Sequence, residues 1–109
     1  MTASGEPGVV VLCRRDEVPD GEARRFDVEG HRIALARIGD DFYAIGDRCS
    51  HGNYSLSQGW VWPDECALEC PQHSSSFDLR TGKPNCFPAT VPVPVYEVRA
   101  QGEVVAVVL

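Results

Sequence analysis

Two short phrases in this chain offer side chains that could bind a metal: Cys49-Ser50-His51 and Cys70-Pro71-Gln72-His73. Each supplies one thiol and one imidazole. Two cysteines with two histidines can hold zinc or an iron–sulfur cluster, and the order within the set separates the two chemistries. A zinc finger usually groups both cysteines in one turn and both histidines in another. Here each phrase mixes them, so either can set a cysteine on one iron and a histidine on the neighbouring iron of a two-iron cluster.

The elements that must position these phrases read as short strands and tight turns. Ala23 to Val28, the turn Glu29-Gly30-His31 and Arg32 to Ile38 have the pattern of a hairpin, and Gly39-Asp40-Asp41 reverses the chain into Phe42 to Ile45. A last pair, Val93 to Arg99 and Val104 to Val108, flanks Ala100-Gln101-Gly102. No segment sustains a helical period, so the class is all-β. Between Gly46 and Pro84 the texture changes to loops rich in Gly, Ser, Pro and Asn, and all four candidate ligands lie there. The expected organisation is one domain over residues 1–109, with a scaffold over about 9–45 and 85–109 carrying an inserted cluster-binding lobe over about 46–84. The run with Pro84, Pro88, Pro92 and Pro94 lacks ladder donors and is expected to wrap the lobe before rejoining the scaffold.

At 109 residues, with 43% hydrophobic and 24% charged residues, the chain has the composition of a globular domain. A fold of this size buries only about 60 to 70% of its unfolded surface, so a cluster stapling two loops would add stability as well as function. Met1 to Gly8 has neither a basic start nor an apolar run, and Val9 to Cys13 and Val104 to Leu109 fall far short of the roughly 20 residues of a membrane helix. The chain reads as cytoplasmic. Five cysteines, an odd number, fit a reducing compartment, with Cys13, Cys66 and Cys86 as buried small hydrophobes. A net charge of -6 disfavours nucleic acid and anionic membranes as partners and suits steering toward a basic protein patch.

With these residues in place, the chain resembles a Rieske-type ferredoxin, the small electron carrier of bacterial multicomponent oxygenases. The resemblance spans nearly the whole length. It is strongest in Asp47-Arg48-Cys49-Ser50-His51-Gly52-Asn53-Tyr54-Ser55-Leu56 and in Cys70-Pro71-Gln72-His73-Ser74-Ser75-Ser76-Phe77-Asp78-Leu79-Arg80-Thr81-Gly82. It implies the Rieske fold, an antiparallel β-sandwich scaffold with the cluster lobe inserted. It also implies one [2Fe–2S] cluster per chain, with Cys49 and Cys70 on the buried iron and His51 and His73 on the outer iron. Two thiolates and two neutral imidazoles leave the oxidised cluster near zero charge. Adding an electron is then easier than in an all-cysteine site, and Rieske centres lie at roughly minus 150 to plus 300 mV. Reduction should raise the pKa of the bound imidazoles, so the potential should fall as pH rises through their titration.

Neighbouring residues narrow that range. High-potential relatives place a disulfide where this chain has Tyr54 and Gln72. They also donate hydrogen bonds to the cluster side from a hydroxyl residue, matched here by Ser75, and from a tyrosine, replaced here by Phe77. Fewer donors lower the potential, so the lower half of the range is expected. Two departures from the family pattern are Ser74, where glycine is frequent, and Ser76, where a basic residue is frequent.

The implied role is a soluble one-electron carrier, monomeric and non-catalytic, passing electrons from a reductase to a terminal oxygenase through transient contacts. After His51 and His73 only His31 remains, too few for the mononuclear iron of an oxygenase, and there is no dinucleotide-binding glycine fingerprint. Other readings are a Rieske carrier beside iron–sulfur assembly systems, a nitrite reductase small subunit, and a structural zinc module. His31 reads as a solvated turn residue, Tyr54 and Phe77 as cover for the cluster, and Trp60 and Trp62, facing one side of a strand, as packing residues ahead of a relay or docking surface.

Overall fold

The computed structural model describes residues 8–50, 54–72, 75–85 and 91–109. Its strands are β1 (Val9–Arg14), β2 (Ala23–Val28), β3 (His31–Ile38), β4 (Asp41–Gly46), β5 (Trp60–Trp62), β6 (Ala67–Glu69), β7 (Ser76–Asp78), β8 (Val95–Gln101) and β9 (Val104–Val108). They form an antiparallel six-stranded sheet in the order β1-β9-β8-β4-β3-β2 and an antiparallel three-stranded sheet in the order β5-β6-β7. Among the described residues the helical ones are single 3-10 turns at Arg15–Glu17, Leu56–Gln58 and Pro63–Glu65. The all-β reading holds.

Strand β3 explains how two cores share one wall. Its Ile33-Ala34-Leu35-Ala36 run is fully buried on both faces. Ile33 and Leu35 point into a core with Cys13, Val18, Phe42, Ala44, Val105 and Val107. Ala34 and Ala36 point the other way, into a core with Ile45, Cys49, Leu56, Leu68, Cys70 and Phe77. The strand alternates large and small, so the short side chains leave room for the three-stranded sheet to pack.

Two turns differ from expectation. Glu29 and Gly30 both take positive φ, 48° and 83°, the tight two-residue geometry whose twist matches a hairpin. His31 therefore belongs to β3, opposite Val28, and not to the turn. It is part-buried, with Nδ1 3.1 Å from Tyr96 Oη and the two rings edge to face. Asp41 likewise pairs with Ile38 and opens β4.

The described end of the proline run links the turn after β7 to β4. Val93 N–H donates to the Gly82 carbonyl at 2.9 Å, and Gly46 N–H donates to the Pro94 carbonyl at 2.8 Å. Gly82 has φ +75°, and a Cβ there would lie 2.2 Å from the Val93 oxygen, so this seam tolerates only glycine.

Candidate metal centre

Two hairpin tips of matching construction bring Cys49 and Cys70 together. Cys49 N–H donates to the Tyr54 carbonyl at 2.9 Å, and Cys70 N–H donates to the Ser75 carbonyl at 2.6 Å. One residue outward, Arg48 bridges Ser55 and Glu69 pairs with Ser76. Each cysteine thus opens a tip, 49–54 or 70–75, that closes on its own last residue. Both are free thiols, 1% exposed, in the same apolar cluster as Phe77 and Leu68. His51 and His73 belong in sequence to these tips but lie outside the described residues, as do Ser74 and Cys86.

The electrostatics of the pair suit a metal. Burial pushes the Cys70 thiol up to about 11, with the Gln72 N–H opposing and the hydrogen-bonded Cys49 thiol adding to the rise. Left to itself the Cys70 thiol stays protonated at neutral pH. A bound cation supplies the charge that lets a buried thiol ionise, and it displaces the proton. The donor set at this position therefore fits a thiolate-bound iron centre.

The neighbouring residues divide by role. Ser75 and Phe77 are fully buried, Phe77 packing in the cysteine cluster, whereas Gln72 is exposed and Tyr54 is 37% exposed. Tyr54 serves the tip through its carbonyl. Ser50 Oγ–H donates to the Val91 carbonyl at 2.5 Å and fastens the first tip to the returning chain.

Sequence reasoning missed Asp47. Its side chain is fully buried; Oδ1 accepts the Ser57 N–H at 2.8 Å and Oδ2 accepts the Ser55 hydroxyl at 2.5 Å. Arg32 Nη2 approaches Oδ2 to 3.5 Å and Arg25 Nε to 3.9 Å. The Asp47 backbone also donates to Arg32 and accepts from Leu56. One residue therefore ties the root of the first tip to β3 and to the turn beyond it. The signal was present as an acid two places before the cysteine with serines at 55 and 57, a pattern for side-chain-to-backbone bonding.

Two expectations need correction. Trp60 and Trp62 do not pack: they are 54% and 48% exposed, while Val61 between them turns inward opposite Leu68. The core face of this short sheet is already filled by Leu68 and Phe77. Cys66 is only half-buried, takes φ 50° at the end of a 3-10 turn, and engages the Tyr43 hydroxyl, whose pKa that bond raises. Cys13 is buried as expected, and desolvation raises it to about 11, with Glu17 and Asp16 adding.

Comparison with known proteins agrees with this geometry. The Rieske [2Fe-2S] domain family matches residues 8–97. The chain is 48% identical over 93 residues, 85% of its length and 86% of the relative's, to the 3-phenylpropionate/cinnamic acid dioxygenase ferredoxin subunit of Escherichia coli strain K12. The ferredoxin of carbazole 1,9a-dioxygenase from Nocardioides aromaticivorans IC177 has the same fold, with TM-score 0.89 at 35% identity over 92% of this chain and 96% of that one. A chain in a complex of reduced oxygenase and oxidised ferredoxin of carbazole 1,9a-dioxygenase gives TM-score 0.85 at 36% identity over 94% of each. The protein belongs to the Rieske [2Fe-2S] domain family, and its cofactor is an iron–sulfur cluster. No helix among the described residues is long and apolar enough to cross a membrane.

Proposed function

We propose that Cys49, His51, Cys70 and His73 hold one [2Fe–2S] cluster per chain, with the cysteines on the inner iron and the histidines on the outer one. The observation that carries this reading is the pair of buried, adjacent free thiols at the same position of two matching tips. A cluster bound there takes up and returns single electrons without making or breaking bonds in a substrate. The protein is an electron carrier and not itself a catalyst. Phe77, Leu56 and Leu68 keep water from the sulfur side, Asp47 and Ser50 fix the first tip, and the Ser75 carbonyl fixes the second.

In this reading the chain is a single domain, a scaffold with a cluster-binding lobe over about 46–84. It works as a cytoplasmic monomer that meets a reductase and a terminal oxygenase in turn. The relatives support the role, since one is a dioxygenase ferredoxin subunit and another belongs to a complex of oxygenase and ferredoxin. The test is direct. Purified protein should be red-brown, contain iron and sulfide in equal amounts, bleach with dithionite and then show a Rieske-type electron paramagnetic resonance signal. His51→Cys and His73→Cys should lower the midpoint potential or lose the cluster. A colourless protein carrying zinc, or an unchanged midpoint in both variants, overturns the assignment.

A further inference from the structure

The outward face of the β5–β6 hairpin holds an acid between two indoles. Trp60 stands directly opposite Glu69 across the two strands, and Trp62 Nε1–H donates to Glu69 Oε1 at 2.8 Å. Both indoles are about half exposed, and that bond holds the carboxylate on the outer face beside them. On the other flank the residue opposite Glu69 is Ser76, not a cation, and among the described residues no lysine or arginine pairs with Glu69. From Gly59 to Gln72 the chain carries Asp64, Glu65 and Glu69 and neither Lys nor Arg.

We propose that Trp60, Glu69 and Trp62 form a docking site for a lysine or arginine at the rim of a basic redox-partner protein. A cation there gains the faces of two indoles and a carboxylate already held in place, so little ordering is left to complete on binding. Charge decides among the occupants. A second copy of this chain would bring two acidic hairpins together, and an anionic membrane would repel the same carboxylates. The site adjoins the second tip, because Glu69 immediately precedes Cys70 and the Gly59 backbone rests against Glu69 and Pro71. A partner seated here lies beside the metal centre. The inference rests on the electron-carrier reading, and binding is measured apart from electron transfer so that the two can fail separately.

The probe is ferricytochrome c, a basic haem protein, titrated calorimetrically into the cluster-loaded protein at about 10 mM ionic strength, where the Debye length is about 30 Å. Trp60→Ala, Trp62→Ala and Glu69→Gln should each weaken binding by about fivefold or more, as expected for losing an exposed cation–π or ion-pair contact. Glu103→Gln removes the same charge at the β8–β9 turn, on the other sheet, and should change the Kd by less than about twofold. Unaltered visible spectra certify the fold of each variant. The proposal is overturned if wild type does not bind or the tryptophan variants bind like wild type. It is also overturned if Glu69→Gln and Glu103→Gln weaken binding equally, which would reduce the effect to net charge. Sedimentation showing a dimer that the tryptophan variants dissolve, or co-pelleting with phosphatidylcholine vesicles that they abolish, would assign the face to another occupant. Failure of the carrier reading shows elsewhere, as missing iron and sulfide.

Discussion

Replacing Asp47 by Asn tests whether the first tip is held by charge or merely by shape. The substitution keeps the volume and one acceptor, so the Ser57 N–H retains a partner. The Ser55 hydroxyl loses a charged acceptor, and Arg32 Nη2, 3.5 Å away, faces an amide donor in place of an oxygen. Hydrogen bonds to a charged group contribute about 1.5–3 kcal/mol against about 1 kcal/mol for neutral ones. Two such bonds weakened give a loss of about 2–3 kcal/mol. Arg32 is 35% exposed and can turn to water, which keeps the loss below that of breaking a fully buried pair. For a domain of this size the fall in Tm is about 8–20 °C. Thermal unfolding of the cluster-loaded protein, followed by far-UV dichroism and by the visible bands, reads it, and the visible bands should bleach first. Ser55→Ala combined with Asp47→Asn should be non-additive by at least about 0.5 kcal/mol. Asp27→Asn, on a side chain 60% exposed, should stay near wild type. Asp47→Asn within about 0.5 kcal/mol of wild type, and additive with Ser55→Ala, would refute the reasoning.

Three further outcomes follow from the same contacts. In Gly59→Ala a Cβ would lie 1.7 Å from the Glu69 carbonyl oxygen, and backbone cannot give way cheaply, so about 3 kcal/mol or more of stability should be lost in urea titrations; a loss under about 1 kcal/mol would mean that the backbones of Gly59 and Glu69 can move apart at little cost. Arg80 first, with the Arg80 and Thr81 N–H groups, holds the Asp78 carboxyl below the usual range despite partial burial. Folding therefore favours ionised Asp78, and its contribution is full at neutral pH and fades as pH falls through its lowered pKa; Asp78→Asn should cost about 1–2 kcal/mol at pH 7, and the gap to wild type should close in acid. A gap that stays constant to acid pH would argue against the ion pair. Phe77→Tyr puts a hydroxyl in a fully buried position beside the cysteine cluster; the midpoint should rise modestly if the hydroxyl reaches the cluster, and an unchanged voltammogram with about 1–3 kcal/mol lost would mean a hydroxyl buried without a partner.

The hairpin strands β2, β3, β4, β8 and β9 and the cysteines were legible because their signals are local, whereas β6 and β7, of three residues each, lie where the sequence reads as loops. Alternation fixed β2 with no error in its bounds, and the two cysteine phrases announce themselves by residue type. His31 was misassigned because Glu29, a residue with a side chain, takes the left-handed backbone that shortens the turn. The tryptophans were misread because hydrophobicity alone does not say which face of a three-residue strand is already filled; Leu68 and Phe77 decided that from other strands. Asp47 escaped because an acid beside a metal motif looks like a surface charge until its partners, including Arg32 on another strand, are seen to bury it.

The shared wall of β3 and β4 sets how the metal centre and the fold depend on each other. A zinc finger has no core without its metal and unfolds when chelated. Here Cys13, Val18, Ile33, Leu35, Phe42, Ala44, Val105 and Val107 close a core that contains neither Cys49 nor Cys70. The three-stranded sheet has strands of three residues each and cannot stand alone; it relies on Ala34, Ala36 and Ile45 of the larger sheet. Removal of the cluster should therefore loosen the tips and the three-stranded sheet while the six-stranded sheet stays folded. Hydrogen exchange on the chelated protein checks this: amides of Leu68 and Phe77 should lose protection, and those of Leu35, Ala44 and Val107 should keep it. Loss of protection throughout would mean that the two cores fold only together, with the cluster as their common staple.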